Sequence, residues 1–202
     1  MRASHKVIRL DRAFYDRDTV TVARKLLGKR LVRLLDGRRV SGRIVEVEAY
    51  VGEMDTACHA HGGKTARNAV MFGPPGHGYV YFIYGMHYCF NVVTDREGYA
   101  AAVLVRALEP TEGIDVMRVR RPGREDVELT NGPAKLCYAL GIDRALNGVD
   151  LVDGVSLWLE AETADGEPQI ASGPRVGVRG DEWALAVPWR FWVAGNRYVS
   201  KG

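Results

Sequence analysis

Cysteine is scarce in this 202-residue chain, and the three present, Cys58, Cys89 and Cys137, are too scattered to form a disulfide framework. No Cys-x-x-Cys spacing suggests zinc, so free thiols are expected. Long apolar runs are missing as well: nothing approaches the roughly 20 residues needed to cross a bilayer. The opening stretch "MRASHKVIRLDRAF" also lacks the short apolar block of a secretory signal. These absences predict a cytoplasmic protein with no membrane partner. There is no repeat, low-complexity tract or convincing linker, and 47% apolar content suffices for one substantial core, so a single domain over residues 1–202 is expected.

Charge is present but unevenly placed. Residues 1 to 43 carry 13 Lys and Arg against 4 Asp, a net of +9, although the whole chain is only +3. A concentrated positive block attracts a polyanion; equally, it solvates one helix and the outer faces of two strands.

Local signals divide the chain as follows. "DTVTVARKLLG" has Asp18 as an N-cap, apolar residues at Val22, Leu26 and Leu27, and Gly28 as a stop, which predicts a short helix. "KRLVRLLDGRRVSGRIVEVEAY" reads as two strands joined at Asp36-Gly37, a pair suited to the positive φ angles of a tight hairpin. Residues 51 to 78, rich in Gly and Pro, form a long loop with at most one helical turn. Loops of this length in compact domains are often functional. "YVYFIYGMHYCFNVV" resumes strand chemistry on both sides of Gly85, and "AAVLVRALEP" predicts a buried strand ending before Pro110. Helices follow at 113–120 and 133–140, the second capped by Asn131, and short strands return around "VSLWLEA" and "WRFWVAG". The fold class expected is α+β, with a mostly antiparallel curved sheet, a protruding β-hairpin and surrounding helices.

Three features could carry chemistry. In "GRIVEVEAY", period-two alternation puts Ile44, Glu46, Glu48 and Tyr50 on one side of the strand, and Arg43, Val45, Val47 and Ala49 on the other. An exposed face would explain two carboxylates without function, yet a strand running into a long loop is also where a general base can sit. In "DTACHAHGG", His59 and His61 lie two apart with no third ligand at a familiar metal spacing. A histidine there can donate a hydrogen bond or stack on a planar ligand, or it is an ordinary loop residue. In "YVYFIYGMHYCFN", Tyr84 stands beside Gly85 at a hairpin tip, where Asn, Asp and Gly are the usual residues. Either the tip folds back on the core, or Tyr84 is a wedge that enters a base stack. Stacking a base on an aromatic contributes on the order of 1–3 kcal/mol, comparable with the cost of extruding a weakly paired nucleotide. Tyr84 in the gap, Tyr50 and Tyr81 as pocket walls, and basic residues on the phosphates therefore form one consistent arrangement.

"GRIVEVEAYVG", "ACHAHGG", "ARNAVMFGPPGHGYVYFIYGMHYCFNVV", "VLVRALEP", "NGPAKLCYALGI" and "RVGVRGDEWA" resemble, in order, segments of the alkyladenine (3-methyladenine, methylpurine) DNA glycosylase family. The resemblance covers nearly the whole chain and is weakest around the first helix. It implies a monofunctional enzyme of base-excision repair that binds damaged double-stranded DNA, flips an alkylated or deaminated purine and hydrolyses its N-glycosidic bond, leaving an abasic site. By motif position, Glu48 matches the general base and Arg106 the arginine that helps to position the water. Tyr50, His59 and Tyr81 match residues that hold the flipped base. Asn91 matches the asparagine that disfavours the 2-amino group of guanine, and Tyr84 matches the intercalating tyrosine on a DNA-contacting tip completed by Gly85, Met86 and His87. The resemblance implies no cofactor and no metal, and a monomer is expected, nucleoid-associated if the source is bacterial. Glu48 is expected to face the pocket, and Glu46, one step back along the same face, to be paired with a basic side chain. Lys64 leaves an amine nucleophile open, whereas the family precedent is water without strand cleavage. Two departures stand out: Lys64-Thr65-Ala66 makes that loop one residue shorter than in vertebrate members, and His87 stands where those relatives carry another aromatic. Two rivals remain: a non-catalytic binder of distorted or damaged nucleic acid, and a sugar or nucleoside hydrolase using Glu46 and Glu48 as a pair.

Overall fold

The first described residues, in a computed structural model covering 7–162 and 166–201, form the edge strand β1 (Val7–Arg9), followed by the single turn α1 (Arg12–Tyr15) and by α2 (Thr19–Leu26). As the sequence predicts, the Asp18 side chain caps α2, accepting from the Thr21 N–H at 2.8 Å. Val22, Ala23 and Leu26 are buried in the main core. Each such side chain contributes roughly 1.5–3 kcal/mol by leaving water, with less for the alanine.

β2 (Arg30–Leu35) and β3 (Arg38–Val51) form the expected hairpin. Its turn residues, Asp36 and Gly37, have φ of 50° and 77°, the consecutive left-handed pair of a type I′ turn. After the long loop come β4 (Gly78–Ile83) and β5 (His87–Thr94), then β6 (Ala101–Glu112), α3 (Ile114–Arg120), α4 (Pro133–Leu140), β7 (Leu157–Glu162), β8 (Ile170–Gly173), α5 (Glu182–Ala186) and β9 (Arg190–Val193). The main sheet runs β1-β7-β2-β3-β6-β5-β4, with β9 added to β3 and β8 to β9. Every pairing among the described strands is antiparallel. The α+β class with a large antiparallel sheet is thus observed.

Helices α2, α3 and α4 pack against β3, β5 and β6, enclosing a core that includes Ile44, Val47, Ala49, Val103, Val105 and Leu108. A smaller cluster of Cys58, Ala60, Met71, Tyr79, Val93, Ala100 and Ala102 lies beneath the long loop. All three cysteines are buried and free.

Three local expectations are corrected. Asn131 does not cap α4: the N-cap is Gly132, and Asn131 Oδ1 instead accepts from Lys135 Nζ at 2.8 Å. The strand "AAVLVRALEP" does not stop before Pro110 but runs through it to Glu112, with Pro110 opposite Gly42 beside a register shift, a place where a missing N–H is tolerated. Strict alternation also misplaces Ile44. The β3–β6 ladder pairs Ile44 with Leu108, Glu46 with Ala107 and Val47 with Val105, passing over Val45 on one strand and Arg106 on the other. These bulges turn Ile44 into the helix-side core with Val47 and Ala49. Glu46, Glu48 and Tyr50 are left facing away from it, and Arg106 is turned toward the same carboxylates.

Candidate active site

Side-chain bonds give the loop between β3 and β4 its shape. The Asp55 carboxylate accepts from the Val51 and Ala57 N–H groups, each at 3.1 Å. Buried Asn68 donates to the carbonyls of His59 and Gly63 at 2.8 and 2.9 Å. A loop tied down in this way can hold a wall as firmly as a strand does.

Between this loop, the hairpin and the chain after β8 lies a cavity of about 300 Å³. Its lining includes Tyr50, His59, Tyr79, Tyr81, Asn91 and Arg179. The size is at the low end for small-ligand sites. His59 and Tyr81 meet edge to face at 4.5 Å, and Tyr79 and Tyr81 lie 5.5 Å apart. Buried Asn91 is held by its Nδ2 donating to the Tyr79 carbonyl at 3.0 Å. His59 Nδ1 and the Tyr79 hydroxyl are hydrogen-bonded at 3.0 Å, whereas His61 Nδ1 bonds to the Glu53 carbonyl. The two histidines therefore do not converge on one point. Desolvation and then the nearby Arg67 charge lower the His59 pKa, favouring the neutral ring.

Glu48 does not face the pocket as expected: it is fully buried, does not itself line the cavity, and lies one step behind Tyr50. The Tyr50 hydroxyl donates to Glu48 Oε2 at 2.8 Å, while Oε1 receives the Val176 N–H at 2.7 Å and lies 3.0 Å from Arg106 Nη1. Burial, followed by the Glu48 charge and its hydrogen bond, pushes the Tyr50 pKa well up, so the phenol stays a donor. For Arg106, burial acts downward but the charges of Glu48 and Glu46 outweigh it and hold the pKa above its usual value.

Glu46, equally buried, is bound on both oxygens. Oε1 accepts from Arg106 Nε at 3.0 Å, Arg190 Nε at 2.7 Å and the Ser200 hydroxyl at 2.9 Å, and Oε2 accepts from the Ser200 N–H at 2.7 Å. The two carboxylates share Arg106 and so avoid the repulsion that their spacing implies. Glu46 is a structural anion held by two guanidinium groups and by Ser200 and lies outside the cavity wall, which leaves no support for a two-carboxylate sugar hydrolase.

The tip between β4 and β5 does not fold back on the core. Tyr84 is 80% exposed, Met86 is 68% exposed, and Gly85 and His87 are open as well. Tyr84 and Gly85 have φ of 55° and 69°, the same type I′ geometry as Asp36-Gly37 but with a bulky residue in the left-handed position. Lys64 is exposed, with Nζ 5.6 Å from the Phe72 ring, and is absent from the cavity lining.

The basic N-terminal block is dispersed. Arg12 pairs with Asp150, Arg38 with Asp115, and Arg39 with Glu112 and Glu160. Arg17, Arg24, Lys25 and Lys29 line a separate groove of about 570 Å³ beside α2. Two cations outside that block stand at the aromatic cavity: Arg179, in its wall, and Arg67, 5.4 Å from the Tyr81 ring.

Several residues that sequence reasoning missed complete the site. Val176 supplies a donor to Glu48; Arg190 and Ser200 hold Glu46; and buried Arg175 pairs with Asp55 while stacking 4.8 Å from Tyr50. The stretch "RVGVRGDEWA", a run of charges and glycines without strand or helix periodicity, was the one available signal for Arg175 and Val176.

Comparison with known proteins places the chain. A family model described as Methylpurine-DNA glycosylase (MPG) matches residues 13–197. A protein of Methanocella arvoryzae is 54% identical over 95% of this chain and 96% of its own length. One of Carboxydothermus hydrogenoformans is 51% identical over 95% and 98%. One of Alkaliphilus oremlandii is 45% identical over 96% of this chain and all of its own length. Each of these relatives bears a provisional name as a 3-methyladenine DNA glycosylase.

Proposed function

The chain belongs to the methylpurine-DNA glycosylase family, and from that premise we propose that it removes alkylated or deaminated purines from double-stranded DNA by flipping the nucleotide and hydrolysing its N-glycosidic bond. Tyr84 enters the gap in the helix. The extruded base stacks in the cavity against Tyr50 and Tyr81, with His59 at its edge and Asn91 against its rim.

The observation that carries this reading is the contact from cavity wall to buried base: Tyr50 lines the cavity and also donates to Glu48 at 2.8 Å. A carboxylate offers about four lone-pair sites; hydrogen bonds from Val176 and Tyr50 take two here, and the Arg106 guanidinium lies 3.0 Å from Oε1. Glu48 has no exposure of its own, so the water that it activates docks on Oε2 once DNA binding shifts the Tyr50 wall. Glu48 takes the proton of that water as it attacks the anomeric carbon; the C–N bond breaks and the electron pair leaves with the base. Positive charge grows on the sugar during cleavage, and the anion stabilises it in a dry setting. Arg106 keeps Glu48 ionised and oriented. No lysine stands in the cavity wall, which favours water over an amine nucleophile.

The test is base release from duplexes containing hypoxanthine or 3-methyladenine. Glu48→Gln should retain DNA binding and lose base release by roughly 10²- to 10⁴-fold. Release near the original rate would refute the role of Glu48, and binding without release by the unaltered protein would refute hydrolysis.

A further inference from the structure

The Arg175 side chain is fully buried, and its partners are spread across the site's supports. Nη1 and Nη2 reach the two Asp55 oxygens at 2.6 and 2.8 Å, and they also donate to the carbonyls of Ala49 at 3.0 Å and Ala184 at 2.9 Å. Its carbon Cζ lies over the Tyr50 ring at 4.8 Å and over Trp189 at 5.4 Å. Arg175 is absent from the cavity lining, whereas Tyr50 is part of it. The guanidinium therefore touches the ring from outside the cavity that the ring lines.

An aromatic ring attracts a cation through the negative potential of its face. A guanidinium already stacked against the ring draws that electron density away from the cavity and repels a second cation across the ring, roughly 8 Å off when a base stacks at van der Waals distance. Asp55 opposes this from the edge of the guanidinium, so the pair acts as a partly neutralised charge rather than a full one. Purines methylated at N3 or N7 are cationic, and hypoxanthine is neutral.

We propose that the buried Arg175–Asp55 pair sets the charge preference of the base pocket, with the guanidinium against Tyr50 restraining the ring's attraction for cationic bases and Asp55 fixing how much of that charge is felt. Arg175 is a specificity-determining residue acting through Tyr50, and the proposal rests on the reading of Tyr50 as a stacking wall.

The experiment compares single-turnover excision of 7-methylguanine and hypoxanthine from otherwise identical duplexes, with melting recorded for each variant. Asp55→Asn keeps the size of the side chain and unmasks the guanidinium charge, so the ratio of cationic to neutral excision should fall by about 3- to 10-fold. Arg175→Gln combined with Asp55→Asn removes both charges, so the ratio should rise by a similar factor. Arg175→Lys, which keeps a positive charge beside Asp55, should stay near the original ratio; if Asp55→Asn or the double variant fails to fold, Asp55→Ser or Arg175→Met with Asp55→Ser takes its place with the same expected direction. A purely structural pair would lower both rates alike. An unchanged ratio, or one moving the same way in the unmasked and neutral variants, overturns the proposal; so does a large ratio change in Arg175→Lys. Repeating Asp55→Asn in a Tyr50→Leu background separates the two readings. If Tyr50→Leu leaves both rates intact, the stacking wall itself is wrong. If it lowers the rates and the Asp55→Asn ratio effect persists without the ring, only the charge preference falls.

Discussion

Replacing Tyr84 by Asn should make the protein more stable and a worse enzyme, and the two effects can be sized separately. Tyr84 sits at φ 55° beside Gly85 at 69°, closing a turn in which the Met86 N–H reaches the Ile83 carbonyl at 3.3 Å. A left-handed conformation costs an L-residue about 1–2 kcal/mol, and Asn tolerates it far better, which is why Asn-Gly is the preferred pair in this turn. The phenol ring is 80% exposed, so little packing is lost to offset the gain. Tyr84→Asn should therefore stabilise the fold by on the order of 1 kcal/mol, or about 2–4 °C in melting temperature for a chain of this size. The same change removes a ring whose stacking contributes on the order of 1–3 kcal/mol to the flipped state, which translates to a roughly 5- to 150-fold weaker flipping equilibrium. Thermal melting gives the first quantity; the fluorescence of a reporter base beside a lesion, with base release in parallel, gives the second. A variant that melts lower would refute the strain argument. One that flips and excises at the original level would refute the wedge.

Two further outcomes follow from the buried charges and the cavity mouth. Glu46→Gln should cost stability by roughly 3–5 kcal/mol, because Arg106 and Arg190 lose their shared anion inside the protein; denaturant titration reads this, and a loss under about 1 kcal/mol would contradict the bonding described. Glu48→Gln should unfold less readily, since Arg106 keeps Glu46, so the two variants should rank oppositely in stability and activity. The lowered pKa of His59, caused by desolvation and then Arg67, means that the unfolded chain binds its proton first as pH falls. Stability is therefore fully present above about pH 6.5 and declines below it. The decline should be small, because the ring is open to solvent at the mouth, and His59→Gln should remove that share. An identical pH slope in the variant would refute the assignment.

What was legible along the chain was whatever a short window decides. Asp18 capping α2, Asp36-Gly37 turning the first hairpin and Gly85 turning the second depend on neighbours within four residues, and the structure has all three where their residue types place them. The motif that ends at Tyr50 and the aromatic pattern of the second hairpin meet in the structure, where Tyr50 and Tyr81 line one cavity. Alternation along β3 failed at Ile44 because the register of a ladder depends on the partner strand, and the bulges at Val45 and Arg106 move side chains across the sheet without a sign in either strand alone. Asn131 failed as a cap for a similar reason, its oxygen being taken by Lys135 one turn on.

Composition and local pattern by themselves determined an antiparallel α+β chain with free cysteines, a carboxylate strand leading into a long loop, and an aromatic at a turn that does not favour one. Tertiary structure alone decided which carboxylate became a structural anion and which bonds to a residue of the cavity wall. That distinction depends on Arg190 and Ser200 arriving at Glu46, and on Val176 arriving at Glu48, from more than 120 residues away. Strand periodicity treats Glu46 and Glu48 as equivalent. Only the donors brought to each by the closing chain make them different, because a buried carboxylate is defined by the groups that replace its water.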